Sequence, residues 1–224
     1  MDGLTTRPSP AVEDYAKAIY ALERESDGTV TTNALAERLG VTPASASGMA
    51  KRLVDLNLVD HRPYKGIALT DDGRRVALEV LRHHRLLELL LTDLGVPWDR
   101  VHDEAEVLEH HISEELEALI AARLGNPTHD PHGHPIPSVD LVIDEGETVT
   151  LDAMAVGQQG RFVRMSDADP DMLRYLTEHG IALGDVLTVV GKQPFEGPVF
   201  ADFSGNTQAL GGSLAHAMRV EVLD

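Results

Sequence analysis

The stretch from His102 to His111, HDEAEVLEHH, holds the residues best suited to chemistry in this chain. At 100° per residue, His102, Glu106, Glu109 and His110 share an arc of about 100° on one helix. Ala105, Leu108, Ile112 and Leu116 fill the adjoining arc, so the donors border an apolar stripe. Carboxylates and imidazoles at the edge of a core need partners. His84 and Glu88 stand one helical turn apart upstream, and Asp14 adds a carboxylate near the N-terminus. Together these groups offer oxygen and nitrogen donors for a divalent transition metal. A solvated acidic face would use the same residue types, so the pattern alone leaves both readings open. The chain has no cysteine, which excludes thiolate metal sites, disulfides and cysteine nucleophiles.

These donors need helices to position them, and the sequence marks where they begin and end. Apolar residues at Val12, Tyr15, Ala16, Ile19, Tyr20 and Leu22 predict a helix over 11–25. Thr32 reads as the cap of a short helix, Asn33 to Leu39, stopped by Gly40. Thr42 caps the next, with Pro43 at its first position, running to about Leu56. LVDHRPYKGIALT then alternates about a turn and predicts a β-hairpin. A long helix is expected from Thr70 to about Leu94, and another from Val101 to Leu124. Residues 126–147, rich in Pro, Gly, His and Asp, read as a linker whose His129, His132 and His134 would lose entropy on ordering and are not taken as ligands. His83 and His111 are expected at the surface, and Trp98 in packing. Beyond 147, TVTL, GRFVRM, DVLTVV, PVFADF and MRVEVL are strand-like runs, with one helix from Pro170 to His179, as in a small SH3-like barrel.

The expected fold is mainly α with a β domain, in three parts. Residues 1–75 form a winged helix-turn-helix, 76–147 helices for metal binding and dimerisation plus the linker, and 148–224 the barrel. The net charge of -18 looks wrong for a DNA binder, but the first 75 residues carry 10 Lys+Arg against 11 Asp+Glu, so nearly all the excess acid lies downstream. The second helix of the reading head would enter the major groove of double-stranded DNA N-terminal end first. Thr42, Pro43, Ser45 and Ser47 would lie against bases and phosphates, and Lys51, Arg52, Arg62, Tyr64 and Lys65 against the backbone. The N-terminus lacks an apolar targeting segment and no run is long enough to span a membrane, so a cytoplasmic protein with no membrane partner is expected. No HExxH, P-loop or GxSxG motif is present, which argues against an enzyme and a small organic substrate. A winged-helix repressor gated by an organic molecule would need an apolar pocket.

Several of these segments carry a resemblance. EDYAKAIYAL, LAERLGVTPASAS, PYKG, VLRHHRLLE, VHDEAEVLEH, DPHGHPIP and SDADPDML resemble the diphtheria toxin repressor family of metal-dependent repressors, most closely its manganese transport regulators. The resemblance covers nearly the whole chain. It implies a winged helix, two dimerisation helices and a C-terminal SH3-like, FeoA-like domain. It implies a primary, activating metal site at Asp14, Glu106, Glu109 and His110. It implies an ancillary site at His84, Glu88, His102 and Asp169, with Met172 where iron-type members have glutamine. Iron-type members also place methionine and cysteine at the positions of Asp14 and Glu106. Carboxylates there favour Mn²⁺, with Fe²⁺ as the alternative and Zn²⁺ or Co²⁺ as surrogates. One binuclear subgroup has a glutamate where this chain has Lys17, so that arrangement is not expected. The resemblance thus implies a homodimer that binds operator DNA when metal orders it.

Overall fold

The computed structural model describes residues 8–25, 30–62 and 66–223. Tyr64, Lys65 and the Arg62 side chain lie outside that description. The chain divides into two compact units. The first comprises Met1–His84, Leu108–Ser113 and Pro137–Val142; the second comprises Arg85–Val107, Glu114–Ile136 and Ile143–Asp224. Among the described residues no helix is long and apolar enough to cross a membrane.

The first unit opens with helices α1 (Pro10–Glu25), α2 (Thr32–Arg38) and α3 (Pro43–Asp55), followed by the antiparallel strands β1 (Val59–Arg62) and β2 (Gly66–Leu69). The N-cap of α2 is Thr31, one residue before the expected Thr32; its hydroxyl accepts from the Ala34 N–H. The Thr42 hydroxyl accepts from the Ser45 N–H at 3.2 Å and Pro43 starts α3, as the sequence indicates. Val12, Ile19, Leu35, Leu53 and Ile67 meet in one core, because the i, i+3, i+4 apolar stripes of the helices face the inner side of the hairpin. Glu23 is buried in this unit. Its carboxylate accepts from the Leu69 N–H at 2.6 Å and from Arg74 at 3.0 Å, joining α1 to β2 and to the start of the next helix.

That helix, α4 (Asp71–Asp93), runs from the first unit into the second. The single helix expected over 101–124 is instead two, α5 (Val101–Leu108) and α6 (Glu114–Arg123). The His111 N–H bonds the Leu108 carbonyl in a tight turn, and helical bonding stops there. Glu109 and His110 are therefore presented by a turn rather than along a helix face.

The barrel of the second unit is a six-stranded antiparallel sheet in the order β3-β8-β4-β5-β6-β7. Its strands are β3 (Val149–Thr150), β4 (Gln159–Met165), β5 (Val186–Lys192), β6 (Val199–Phe203), β7 (Asn206–Leu210) and β8 (Met218–Leu223). Helices α7 (Pro170–Glu178) and α8 (Gly212–Ala217) accompany them. Phe162, Met165, Leu173, Leu176, Leu187 and Met218 fill the interior. The TVTL run yields only two strand residues before a 3₁₀ turn, Leu151–Ala153. β7 and α8 are additional to the expected elements; in β7, NTQAL is mostly polar and carries no apolar alternation.

Candidate metal centre

In the first unit, Asp14 from α1 meets Glu109 and His110 from the turn after α5, with donor atoms within 4.8 Å of one another. His110 Nε2 lies 2.9 Å from Asp14 Oδ1 and 3.6 Å from Glu109 Oε1. The other ring nitrogen is engaged: His110 Nδ1–H donates to Glu13 Oε2 at 2.6 Å. Glu13 is itself 2% exposed. A carboxylate behind an imidazole fixes the tautomer and leaves the opposite nitrogen's lone pair for a metal. Glu109 is fully buried. Its Oε2 accepts from His84 Nδ1 and its Oε1 from Lys17 Nζ, each at 2.5 Å. Burial pushes the Glu109 carboxyl upward, but the His84 hydrogen bond and the Lys17 charge outweigh it and hold it below the ordinary carboxylate range. His83, expected at the surface, is buried, with Nδ1–H donating to the Glu109 carbonyl at 3.2 Å. It pins the turn that carries Glu109 and His110.

The second unit holds a further cluster. Glu88, fully buried on α4, faces His102 of α5, whose Nδ1 is 3.5 Å from Glu88 Oε1 and 3.2 Å from Asp167 Oδ2. His102 Nε2 is 3.8 Å from Glu106 Oε1 one turn along α5. The hydrogen bond to Asp167, then that to Glu88, pushes His102 up to about 10 against the effect of burial. Asp167 is driven well below the usual carboxylate range: burial opposes this, and the bond to His102 prevails.

The segment expected to be a linker contributes to the same cluster. Asp130 Oδ1 accepts from the N–H groups of His132 and His134, at 2.8 and 2.9 Å, closing a tight loop. The Met165 N–H of β4 bonds the His132 carbonyl, and a side chain at Gly133, whose φ is +83°, would collide with the Val163 carbonyl. The loop is thus packed onto the barrel. His132 Nε2–H donates to the Trp98 carbonyl at 2.7 Å and the ring stacks on the indole. Its Nδ1 is buried with no hydrogen-bond partner, 3.6 Å from Glu88 Oε1. A neutral imidazole would present a lone pair to a carboxylate there, so either a proton or a metal cation must lie between them. Burial depresses His132, but Glu88, Asp130 and Asp167 raise it to about 9. Asp130 Oδ2 is also buried without a hydrogen bond, 3.3 Å from His134 Nδ1. These oxygen and nitrogen atoms suit a divalent cation in kind and placement.

Of the expected ligands, Asp14, Glu109 and His110 converge in the first unit, as do Glu88 and His102 in the second. Glu106 belongs to the second unit, beside His102. His84, one turn before Glu88 on α4, has Nδ1 on Glu109 Oε2. Asp169 Oδ1 caps α7 by accepting from the Asp171 N–H at 3.0 Å. Asp167, two residues earlier, faces His102 alongside Glu88. Met172 packs on the barrel core. Glu13, Asp130 and Asp167 are not singled out by the sequence, and His132 is set aside there as a linker residue. The Asp-Pro-His spacing of 130–132 was their one local signal, and the Asp169-Pro170 pair was a helix-start signal. On the reading head, Thr42, Pro43, Ser45, Lys51 and Arg52 are exposed and Ser47 is half-buried.

Three family models match in succession. The N-terminal DNA binding domain of the iron dependent repressors matches residues 9–67. Their metal binding and dimerisation domain matches 70–138, and the FeoA domain 149–222. The diphtheria toxin repressor of Corynebacterium glutamicum is 32% identical over 224 residues, covering 95% of this chain and 96% of that protein. The chain belongs to the diphtheria toxin repressor family. The iron-dependent repressor IdeR of Mycobacterium tuberculosis is 32% identical over 222 residues, covering 93% of this chain and 96% of its own. A solved structure described as a manganese-dependent transcriptional repressor in complex with manganese is 44% identical, with a TM-score of 0.88, covering 95% of this chain and all of that one. This member of the diphtheria toxin repressor family is therefore a metal-dependent transcriptional repressor and not an enzyme.

Proposed function

We propose that this repressor responds to manganese and binds operator DNA as a homodimer. The observation that carries the reading is the donor set. Asp14, Glu109 and His110 offer only oxygen and imidazole nitrogen, in a chain without cysteine. Glu106, three residues before Glu109, is offered as a further carboxylate on sequence grounds. Hard donors suit Mn²⁺, which stands lowest in the affinity order and therefore needs a site without competing soft ligands. The manganese complex that is 44% identical supports this choice over the iron named for the mycobacterial relative. The reading places a second ion at Glu88, His102 and Asp167, with His132 and Asp130 beside them; His84 supports the first ion through Glu109, and Asp169 serves α7.

A divalent cation supplies charge neutralisation; the chain's residues do the rest. Asp14 and Glu13 sit on the helix whose apolar face packs the reading head, while Glu109 and His110 sit on the turn. Closing these groups on one point fixes α1 against the turn and, through the shared core, orients α3. Thr42, Pro43, Ser45 and Ser47 then meet the major groove and Lys51 and Arg52 the phosphates. Arg62, Tyr64 and Lys65 of the wing are assigned backbone contacts from sequence. Large apolar side chains exposed at the end of α4 and on α5 and α6, namely Leu94, Val107, Leu116 and Leu119, support a dimer surface. Action in the cytoplasm follows from this reading.

The test is binding of a metal-regulated promoter fragment under anaerobic conditions, titrated with Mn²⁺, Fe²⁺ and Zn²⁺. Mn²⁺ should induce binding, and Asp14→Ala or Glu106→Ala should abolish the induction while the fold survives. Induction by Fe²⁺ with no response to Mn²⁺ would refute the manganese assignment. A normal metal response in either variant would refute the site.

A further inference from the structure

The carboxylate at the centre of the first cluster already holds a cation of the protein's own. Lys17 Nζ lies 2.5 Å from Glu109 Oε1. Lys17 stands on α1 one turn after Asp14 and four residues after Glu13, so the helix that brings two carboxylates to the pocket also brings the ammonium. Glu13, Asp14 and Glu109 crowd three carboxylates around His110. Such a group repels itself unless positive charge lies among it. Glu109 is fully buried, whereas the Lys17 side chain is 18% exposed. A lysine's compact charge on a flexible stem can leave a partner by bond rotation alone, while the stem stays packed.

We propose that Lys17 is a resident counter-cation that holds Glu109 in the metal-free protein and must release Oε1 before that oxygen can ligate. This rests on the metal-site reading above and adds to it a control on sensitivity. The Lys17–Glu109 pair keeps the empty pocket assembled, and the same pair competes with the incoming metal. The two effects have opposite signs on removal of the ammonium. Without it, the empty pocket loses its neutralising charge and the metal-free protein becomes less stable. The metal then meets no competitor for Glu109 and no positive neighbour, and binds more tightly.

Lys17→Met keeps the stem and deletes the charge; Lys17→Arg keeps the charge. Mn²⁺ titration of the metal-free protein by calorimetry should show Lys17→Met binding at least about tenfold more tightly at the first site, the factor expected from losing one charge-assisted hydrogen bond. Its melting temperature in chelator should fall below wild type, while Lys17→Arg stays near wild type in both measurements. Unchanged or weaker Mn²⁺ binding by Lys17→Met overturns the proposal, because a lysine that merely supports the fold would weaken both properties together. Wild-type protein gives a second readout that needs no variant to fold. Acylation of Lys17, followed by peptide mass spectrometry, should accelerate when Mn²⁺ is added; unchanged or deeper protection overturns the proposal. If wild type and Asp14→Ala titrate identically with Mn²⁺, the metal reading itself fails, and the proposal with it. That result is distinct from a wild type that binds Mn²⁺ beside a Lys17→Met that gains nothing.

Discussion

Glu13 and His110 are far apart in sequence, yet the carboxylate of one receives the Nδ1–H of the other at 2.6 Å inside the first unit. This bond aims Nε2 at Asp14 and Glu109, where a proton or a cation would lie between the ring and the carboxylates. Glu13→Gln preserves the shape but removes the charge that makes the imidazole a better donor. Mn²⁺ affinity at this site should fall about 10- to 100-fold, read by calorimetric titration. An unchanged affinity would mean that Glu13 only packs.

Asp130 and His132 test whether the folded loop belongs to a metal centre. Asp130→Ala with His132→Ala should remove one bound Mn²⁺ per chain, counted by elemental analysis after equilibrium dialysis. Asp169→Ala should leave the count unchanged and lower stability by about 1 kcal/mol, the usual cost of losing an N-cap. Loss of an ion in Asp169→Ala with none lost in the double variant would place the second site elsewhere.

The metal-free protein should lose stability as the solution becomes alkaline. His102 and His132 are raised to about 10 and about 9 in the folded chain, from the ordinary value of about 6.5. Groups raised in this way stabilise the fold fully below the unfolded value and lose that contribution as pH climbs through the folded values. The groups facing them are Glu88 on α4, Glu106 on α5, Asp130 and His134 on the loop, and Asp167 before α7. Melting temperature in chelator should therefore decline between pH 7 and pH 10, and Glu88→Gln should flatten the decline. A flat profile in wild type would show that the imidazoles are neutral throughout.

Glu23 offers a test of stability apart from metal. Its buried carboxylate satisfies the Leu69 N–H and pairs with Arg74. Glu23→Ala leaves a buried donor unmet and should cost about 1–3 kcal/mol, seen as a lower denaturation midpoint with the Mn²⁺ count intact. A midpoint equal to wild type would show that water replaces the carboxylate.

The reading head was legible because its signals are local. Thr42 and Pro43 announce α3, Gly40 ends the preceding segment, and the alternation of Val59 to Leu69 announces the hairpin. The break after Leu108 was harder to see. No glycine or proline marks it, and Ile112 continues the apolar stripe in register, so an unbroken helix fits the same residues. Ser113 followed by Glu114, Glu115 and Glu117 was a helix start hidden inside that pattern. The roles of Asp130, His132 and Asp167 depend on contacts between distant segments, which periodicity does not encode. Asp169 shows the converse: next to Pro170, local capping claimed its side chain.

On one continuous helix, neighbouring side chains diverge by 100°, which would hold Glu109 and His110 to opposite edges of the donor arc. The turn between α5 and α6 lifts that restriction and leaves the flanking helices to keep their own hydrogen bonds. Donor exchange in this short irregular peptide would alter a coordination shell while sparing the scaffold.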